Sequence, residues 1–127
     1  MSQDDGTKRT FETGATRDTA EGKIDYEGFL SPLVLERFGK YMHAHRVQSD
    51  GTLRASDNWQ VGIPLPIYMS SAWRHFMDWW DYHRHIRPMG WHPKDESVLE
   101  DAICGLLFNA MGYLHEVLKA RRNSAGE

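Results

Sequence analysis

Apolar residues recur three or four positions apart in three stretches of this chain, and turn residues separate the stretches. The first begins at Ser31-Pro32, an N-cap followed by a residue whose fixed φ suits a first helical turn. It continues through Leu35, Phe38, Tyr41 and Met42 to about Arg46. Ser49-Asp50-Gly51 then stops the helix and opens a polar loop to Asn58. Trp59 and Val61 restart apolar sequence, and Ile63-Pro64-Leu65-Pro66 is extended, because a residue before proline avoids the helical region. Pro66 supplies the first turn of a second helix expected to reach about Ile86. In it Met69, Trp73, Phe76, Met77 and Trp80 have the spacing of a buried stripe, while Arg74, His75, Asp78, Asp81, Tyr82 and His85 gather on the other side. A loop with two prolines, 87 to 93, leads to a third helix. Asp95 or Ser97 caps it, Ser97 with Glu100 as a capping box, and it runs to about Arg121. Gly105 and Gly112 lie on one face of that helix, two turns apart, which calls for close approach of a neighbour.

No convincing strand, internal repeat or low-complexity tract accompanies these helices. The expected fold is therefore all-α, a helical bundle of three main helices with an extended N-terminal arm. Residues 1–25 are rich in charged residues, threonine and glycine, with Phe11 nearly alone as a large apolar side chain. Such a segment does not bury enough apolar surface to fold by itself, so it is expected to be flexible or pinned by a ligand. Residues 26–127 form the single helical domain.

Composition narrows the function classes. A net charge of −3 and a pI near 6.1 argue against a protein that grips the phosphate backbone of nucleic acid, which calls for a basic face. Lys119, Arg121 and Arg122 make only a short basic tail. Cys104 is the sole cysteine, inside an apolar run, which excludes an intrachain disulfide or a cysteine zinc cluster and fits a reducing cytoplasm. No signal peptide is evident. The longest apolar run, Ala102 to Leu114, is too short to span a bilayer and carries Asn109. The five tryptophans exceed what a small core needs, so some are expected at an interface or in a pocket.

The polar side of the second helix carries the candidate chemistry. Asp78 and Asp81 stand three apart, a spacing that lets two carboxylates approach one hard cation. Mg²⁺ commonly takes one or two carboxylates together with substrate phosphates, and Glu96, Glu100 and Asp101 could complete such a site from the next helix. The same carboxylates are equally at home on a solvated helix face. His43-x-His45 and His83-x-His85 sit two apart on helices, about 200° around the axis, which excludes one shared zinc ion. His75 shares a face with Asp78 and suits a phosphate contact, a supporting partner or a packed ring. Asn109 must find hydrogen-bond partners if buried, from a base, a ligating carboxylate or a neighbouring helix. Trp59, Trp79 and Trp91 either stack on a base or pack in a core or interface. The P-loop and dinucleotide glycine patterns are absent.

Several short motifs stand in order along the chain: Thr13-Gly14-Ala15-x-Arg17-Asp18, Gly22-Lys23, Phe38-Gly39-Lys40-Tyr41, Asn58-Trp59, Arg74-His75 followed by Trp79, and Asp95-Glu96-Ser97 leading to Asn109-Ala110. Across residues 13–118 the sequence resembles the phage dATP/dGTP diphosphohydrolase-like proteins, members of the all-helical MazG-like nucleotide pyrophosphohydrolases. The family's metal motif is E-x-x-E on one helix and E-x-x-D on the next. Asp78-x-x-Asp81 has the first spacing, and Asp101 heads its helix as the final aspartate does. Val98 stands where the glutamate of E-x-x-D is expected, with Glu96 and Glu100 near it.

The resemblance implies hydrolysis of a purine deoxynucleoside triphosphate to its monophosphate and pyrophosphate, with Mg²⁺ or Mn²⁺ held by Asp78, Asp81, Glu96, Glu100 and Asp101. Asp78, Asp81, Glu100 and Asp101 are then the catalytic carboxylates. Arg17, Lys23, Arg74 and His75 contact phosphates, and Asn58, Trp59 and Asn109 lie nearer the base or sugar. A homodimer or homotetramer, with neighbouring subunits completing each site, is also implied. Two other readings are a nucleotide-binding protein without turnover and a structural helical oligomer.

Overall fold

A computed structural model describes residues 3–4, 8–19, 21–86 and 96–126. The chain divides into two compact units, one ending at Pro32 and the other beginning at Leu33.

The first unit contains a small antiparallel sheet in the order β1 (Gln3–Asp4), β2 (Lys8–Thr10), β3 (Thr16–Asp18). This corrects the expectation of no strand. The pairing places Arg9 opposite Arg17 and Thr10 opposite Thr16. A tight turn makes the hairpin: Phe11 N–H donates to Ala15 O, Gly14 N–H donates to Phe11 O, and Gly14 takes φ +91°, a conformation glycine adopts without steric cost. Strands of two and three residues lacking apolar alternation leave no period-two signal in the sequence. Arg9 is held by its Nε–H to Asp18 O at 3.1 Å and lies 5.6 Å from the Phe11 ring centroid. The short helix α1 (Tyr26–Phe29) follows, capped by the Asp25 carboxylate.

The second unit is helical. Helix α2 (Pro32–Ala44) starts at the proline, α3 (Leu65–Asp81) carries a proline in its first turn, and α4 (Glu96–Ala125) is the longest element. The last expected turn of α3 widens into a π turn, Tyr82–Ile86. Ser97 lies inside α4, and Glu100 Oε1 accepts a bond from Arg37. The capping-box arrangement is therefore not what begins the helix. Trp91 and Asp95 lie outside the described residues.

Helices α3 and α4 pack antiparallel. The Tyr68 ring sits over Gly112 and the His75 ring over Gly105, so closely that a Cβ at either glycine would collide with the ring. Tyr68 and Tyr82 are the most deeply buried large side chains described, each 1% exposed. Around α3, residues 68, 75 and 82 share one face, and this face turns inward. Met69, Trp73, Phe76, Met77 and Trp80, expected to be the core stripe, are all exposed, Trp73 to 60%. The physical reason is the glycine seats on α4. A groove without Cβ atoms admits the Tyr68 and His75 rings at close range, and the helix then rotates its larger apolar residues outward. Helix α2 behaves similarly, with Tyr41 buried, Phe38 and Met42 half-buried, and Leu35 exposed.

Candidate functional site

A cavity of about 770 Å³ opens in the second unit, within the range typical of small-ligand pockets. The C-terminal half of α2, the segment that follows it, Trp59 and Ile63, Ser71 and His75 of α3, and Phe108 and Asn109 of α4 form its walls. Four residues expected near a nucleotide are brought together here: Asn58, Trp59, His75 and Asn109. His43, His45, Arg46 and Arg54 join them, and among the described residues no Asp or Glu lines the cavity.

The two arginines stand at the ends of a small hairpin. Arg54 N–H donates to Arg46 O at 2.9 Å, Arg46 Nε–H returns a bond to Arg54 O at 2.9 Å, and Val47 pairs with Leu53. Gly51, at φ +85°, makes the turn, and the Asp50 carboxylate accepts from both the N–H and the hydroxyl of Thr52. These bonds hold the Asp50 pKa below the usual carboxylate range. Asp50, the one acid in the run from Gly39 to Ser56, is thus engaged in the turn. From sequence, this run reads as the end of a helix to about Arg46 and a polar loop from Ser49 to Asn58. The signal that reading misses is the excess of Lys40, His43, His45, Arg46 and Arg54 over that single acid.

His45 stacks at 4.1 Å against the Tyr41 ring, and its Nδ1 lies 2.8 Å from Tyr41 O. A carbonyl only accepts, so Nδ1 carries the proton and Nε2 remains available. His75 is half-buried, and burial lowers its pKa from the ordinary histidine value, with the nearby Asp78 charge acting in the opposite sense. Trp59 packs edge-on against Phe108 and His115, with ring centroids 6.0 and 4.8 Å away. The turn that carries Trp59 is tied to α4 by Lys119 Nζ, which donates to Gln60 O at 3.2 Å. Asn109 is 5% exposed, and its Nδ2 donates to Gly105 O of its own helix at 2.7 Å. Its Oδ1 has no hydrogen bond among the described residues. Asn109 also lines the cavity, where an amide oxygen can accept from a donor that enters.

The carboxylates are arranged differently. Arg37 Nε–H donates to Glu100 Oε1 at 2.5 Å and Arg37 Nη2–H to Asp101 Oδ1 at 2.6 Å, tying α2 to α4. Bonding to Asp101 first and Glu100 second raises the guanidinium pKa further above its ordinary value. Asp78 and Asp81 lie exposed on α3. The antiparallel register, fixed by His75 over Gly105, carries Asp78 level with the first turns of α4, where Asp101 stands. The Glu96 side chain lies outside the described residues. Among the described residues no group of three His, Cys, Asp or Glu side chains is gathered as a metal site. Among the described residues, Glu100 and Asp101 are both bonded to Arg37 and are not gathered with Asp78 and Asp81 around a divalent ion.

Arg74 Nη1–H donates to Ser70 Oγ at 3.0 Å on the exposed side of α3 and does not line the cavity. Arg17, in β3, and Lys23 are exposed and belong to the first unit. Trp79 packs against Phe76 at 6.1 Å. Comparison of the chain with models of protein families, with curated proteins and with solved structures finds no match.

Proposed function

We propose that this protein binds a nucleoside triphosphate in the cavity between α2, α3 and α4, a purine deoxynucleotide by the resemblance to MazG-like proteins. The observation that carries the reading is the lining of the cavity, where Arg46, Arg54, His43 and His45 stand with His75, Trp59, Phe108 and Asn109 and, among the described residues, no carboxylate joins them in the wall. Basic side chains without acidic partners suit phosphate oxygens, since charge-assisted bonds are the stronger ones. The aromatic edges suit a base, and Asn109 Oδ1 suits an N–H donor on it.

A second reading, metal-dependent hydrolysis to monophosphate and pyrophosphate, draws on Asp78-x-x-Asp81 standing level with Asp101 across the helix pair. It requires Arg37 to release Glu100 and Asp101. Calorimetric titration and thermal unfolding with each common nucleoside and deoxynucleoside triphosphate, with Mg²⁺, with Mn²⁺ and with chelator, test both. Binding that survives chelation is expected. A ligand at ~100 times its dissociation constant stabilises by about 2.7 kcal/mol, a rise of roughly 10 °C for a domain of this size. Arg54→Gln should weaken that binding by about tenfold or more, for the loss of a charged hydrogen bond. If no nucleotide shifts the melting temperature, the binding reading fails. Metal-dependent release of pyrophosphate instead selects the hydrolase.

A further inference from the structure

The cavity walls divide by chemistry. Arg46 and Arg54, with His43 and His45, form a cationic part, and Trp59 with Phe108 forms an aromatic part. Trp59 stands on a single turn, Asn58–Val61, which Asp57 begins without a side-chain cap. Asn58 N–H donates to Ala55 O and Gln60 N–H to Asp57 O. So short a turn closes too few hydrogen bonds to hold its own place. What grips it from outside therefore sets its position.

That grip comes from one face of α4. Phe108 and His115 meet the Trp59 ring edge-on, and Lys119 Nζ donates to Gln60 O at 3.2 Å. Residues 108, 115 and 119 fall in one stripe along the helix. Among the described residues, the Lys119 bond is the one hydrogen bond that joins residues 55–62 to a helix. Ring contacts constrain the angle of the turn only broadly, whereas a hydrogen bond one residue past Trp59 is directional.

Lys119 is itself held in place. Glu116, nearly one turn earlier on α4, has a side chain 16% exposed, and its Oε2 lies 3.5 Å from Lys119 Nζ. A carboxylate so placed draws the ammonium toward it, and three N–H donors let one ammonium serve both the carboxylate and the Gln60 carbonyl. Lys119 itself does not line the cavity.

We infer, resting on the nucleotide reading of the cavity, that Lys119 is a positioning residue for the aromatic wall, holding Trp59 where it receives the base. A side chain fixed before the ligand arrives loses less freedom on binding, and the difference appears as affinity. The cationic wall has supports of its own, the paired bonds between Arg46 and Arg54. Lys119 therefore acts on recognition of the base and not of the phosphates.

The test uses the full chain labelled with fluorinated tryptophan, its Trp59 signal in fluorine NMR identified by its loss in Trp59→Phe. Without ligand, Lys119→Met should move or broaden that signal while helical circular dichroism is retained. Lys119→Arg, which still donates to a carbonyl, should keep the signal where wild type has it. Should Lys119→Met fail to fold, Lys119→Gln takes its place. Calorimetric titration then compares dGTP, dATP and tripolyphosphate, the last a phosphate chain with no base. Lys119→Met should bind nucleotide about fivefold more weakly, the lower end of what base–aromatic stacking contributes, and tripolyphosphate as wild type does. A Trp59 signal unmoved by Lys119→Met, nucleotide affinity left as in wild type, or equal losses for nucleotide and tripolyphosphate overturns the proposal. If wild type binds neither nucleotide, the nucleotide reading falls by itself, and the fluorine signal still decides whether Lys119 holds Trp59.

Discussion

Along α3, Tyr68, His75 and Tyr82 turn toward α4, while Met69, Trp73, Phe76, Met77 and Trp80 turn toward solvent. The less hydrophobic face is the buried one. The inner face is chosen by shape, since rings sit where α4 has no Cβ, and close-packed interiors reward that fit. The outer face carries the larger apolar residues, exposed in this chain. An amphipathic stripe thus reports that a face is to be covered without saying by what. The buried Tyr68 hydroxyl has no hydrogen-bond partner among the described residues, and burial, with the Glu116 charge adding to it, raises its pKa. An unsatisfied polar group costs about 1–3 kcal/mol, so the inner seam is the more sensitive of the two faces to small changes.

The largest expected effect breaks that seam. Gly112→Ala puts a Cβ into the ring of Tyr68, which is too buried to swing away. Overpacking typically costs about 1–3 kcal/mol, against a gain of about 0.8–1.0 kcal/mol from helix propensity. Because Tyr68 has little freedom to yield, a net loss near 2 kcal/mol is expected in denaturant unfolding. Gly105→Ala meets the half-buried His75, which can yield, and should lose about 1 kcal/mol or less. Gly39→Ala, on α2 with open space around it, is the control and should gain roughly 0.5–1 kcal/mol. Equal gains at all three positions would show that the seam does not depend on its glycines.

How much of this was legible follows from where each signal resides. The extents of α2, α3 and α4 came from caps, prolines and 3.6-residue periodicity, all local properties of the chain. Gly105 and Gly112, read as a close-approach face, marked the seam correctly. The facing of α3 departs from its hydropathy pattern because ring shape against the α4 glycines sets it. Asn58, Trp59, His75 and Asn109 were each named from sequence, and the cavity gathers them from a turn and two helices. Arg46 and Arg54 carry no local signal, since a hairpin closed by Gly51 is needed to bring both to the cavity. The bonding of Arg37 to Glu100 and Asp101 spans more than sixty residues of chain, beyond any local pattern.

That long-range pair gives the next effect. Arg37→Met leaves Glu100 and Asp101 adjacent without a counter-charge, while preserving much of the side chain's apolar stem. Both carboxylates are well exposed, at 43% and 57% for their side chains, so solvent screening keeps the loss to about 0.5–1 kcal/mol. The comparison sharpens here, because this clamp ties α2 to α4 by charge rather than by shape. The loss should shrink in ~1 M salt, where charges are screened within about 3 Å, whereas the loss from Gly112→Ala should not. A salt-independent cost at Arg37 would assign its role to packing.

The smallest effect is a pH dependence on the inner face. Burial over Gly105 lowers the His75 pKa in the folded chain relative to the ordinary value near 6.5. Below that value the unfolded chain takes up the proton more readily than the folded one, so the unfolded state binds more protons and stability falls as pH falls. The contribution is fully present above pH ~6.5 and declines below it. Melting temperature measured from pH 7.5 to 5.5 should therefore drop more steeply in wild type than in His75→Gln, which has no ionisation to resist. If the two curves run parallel, either the His75 pKa is the same in both states or the ring leaves its seat before it titrates. An unchanged cost of Gly105→Ala at pH 5.5 and 7.5 would favour the first, because it would show the ring still seated against α4 at the lower pH.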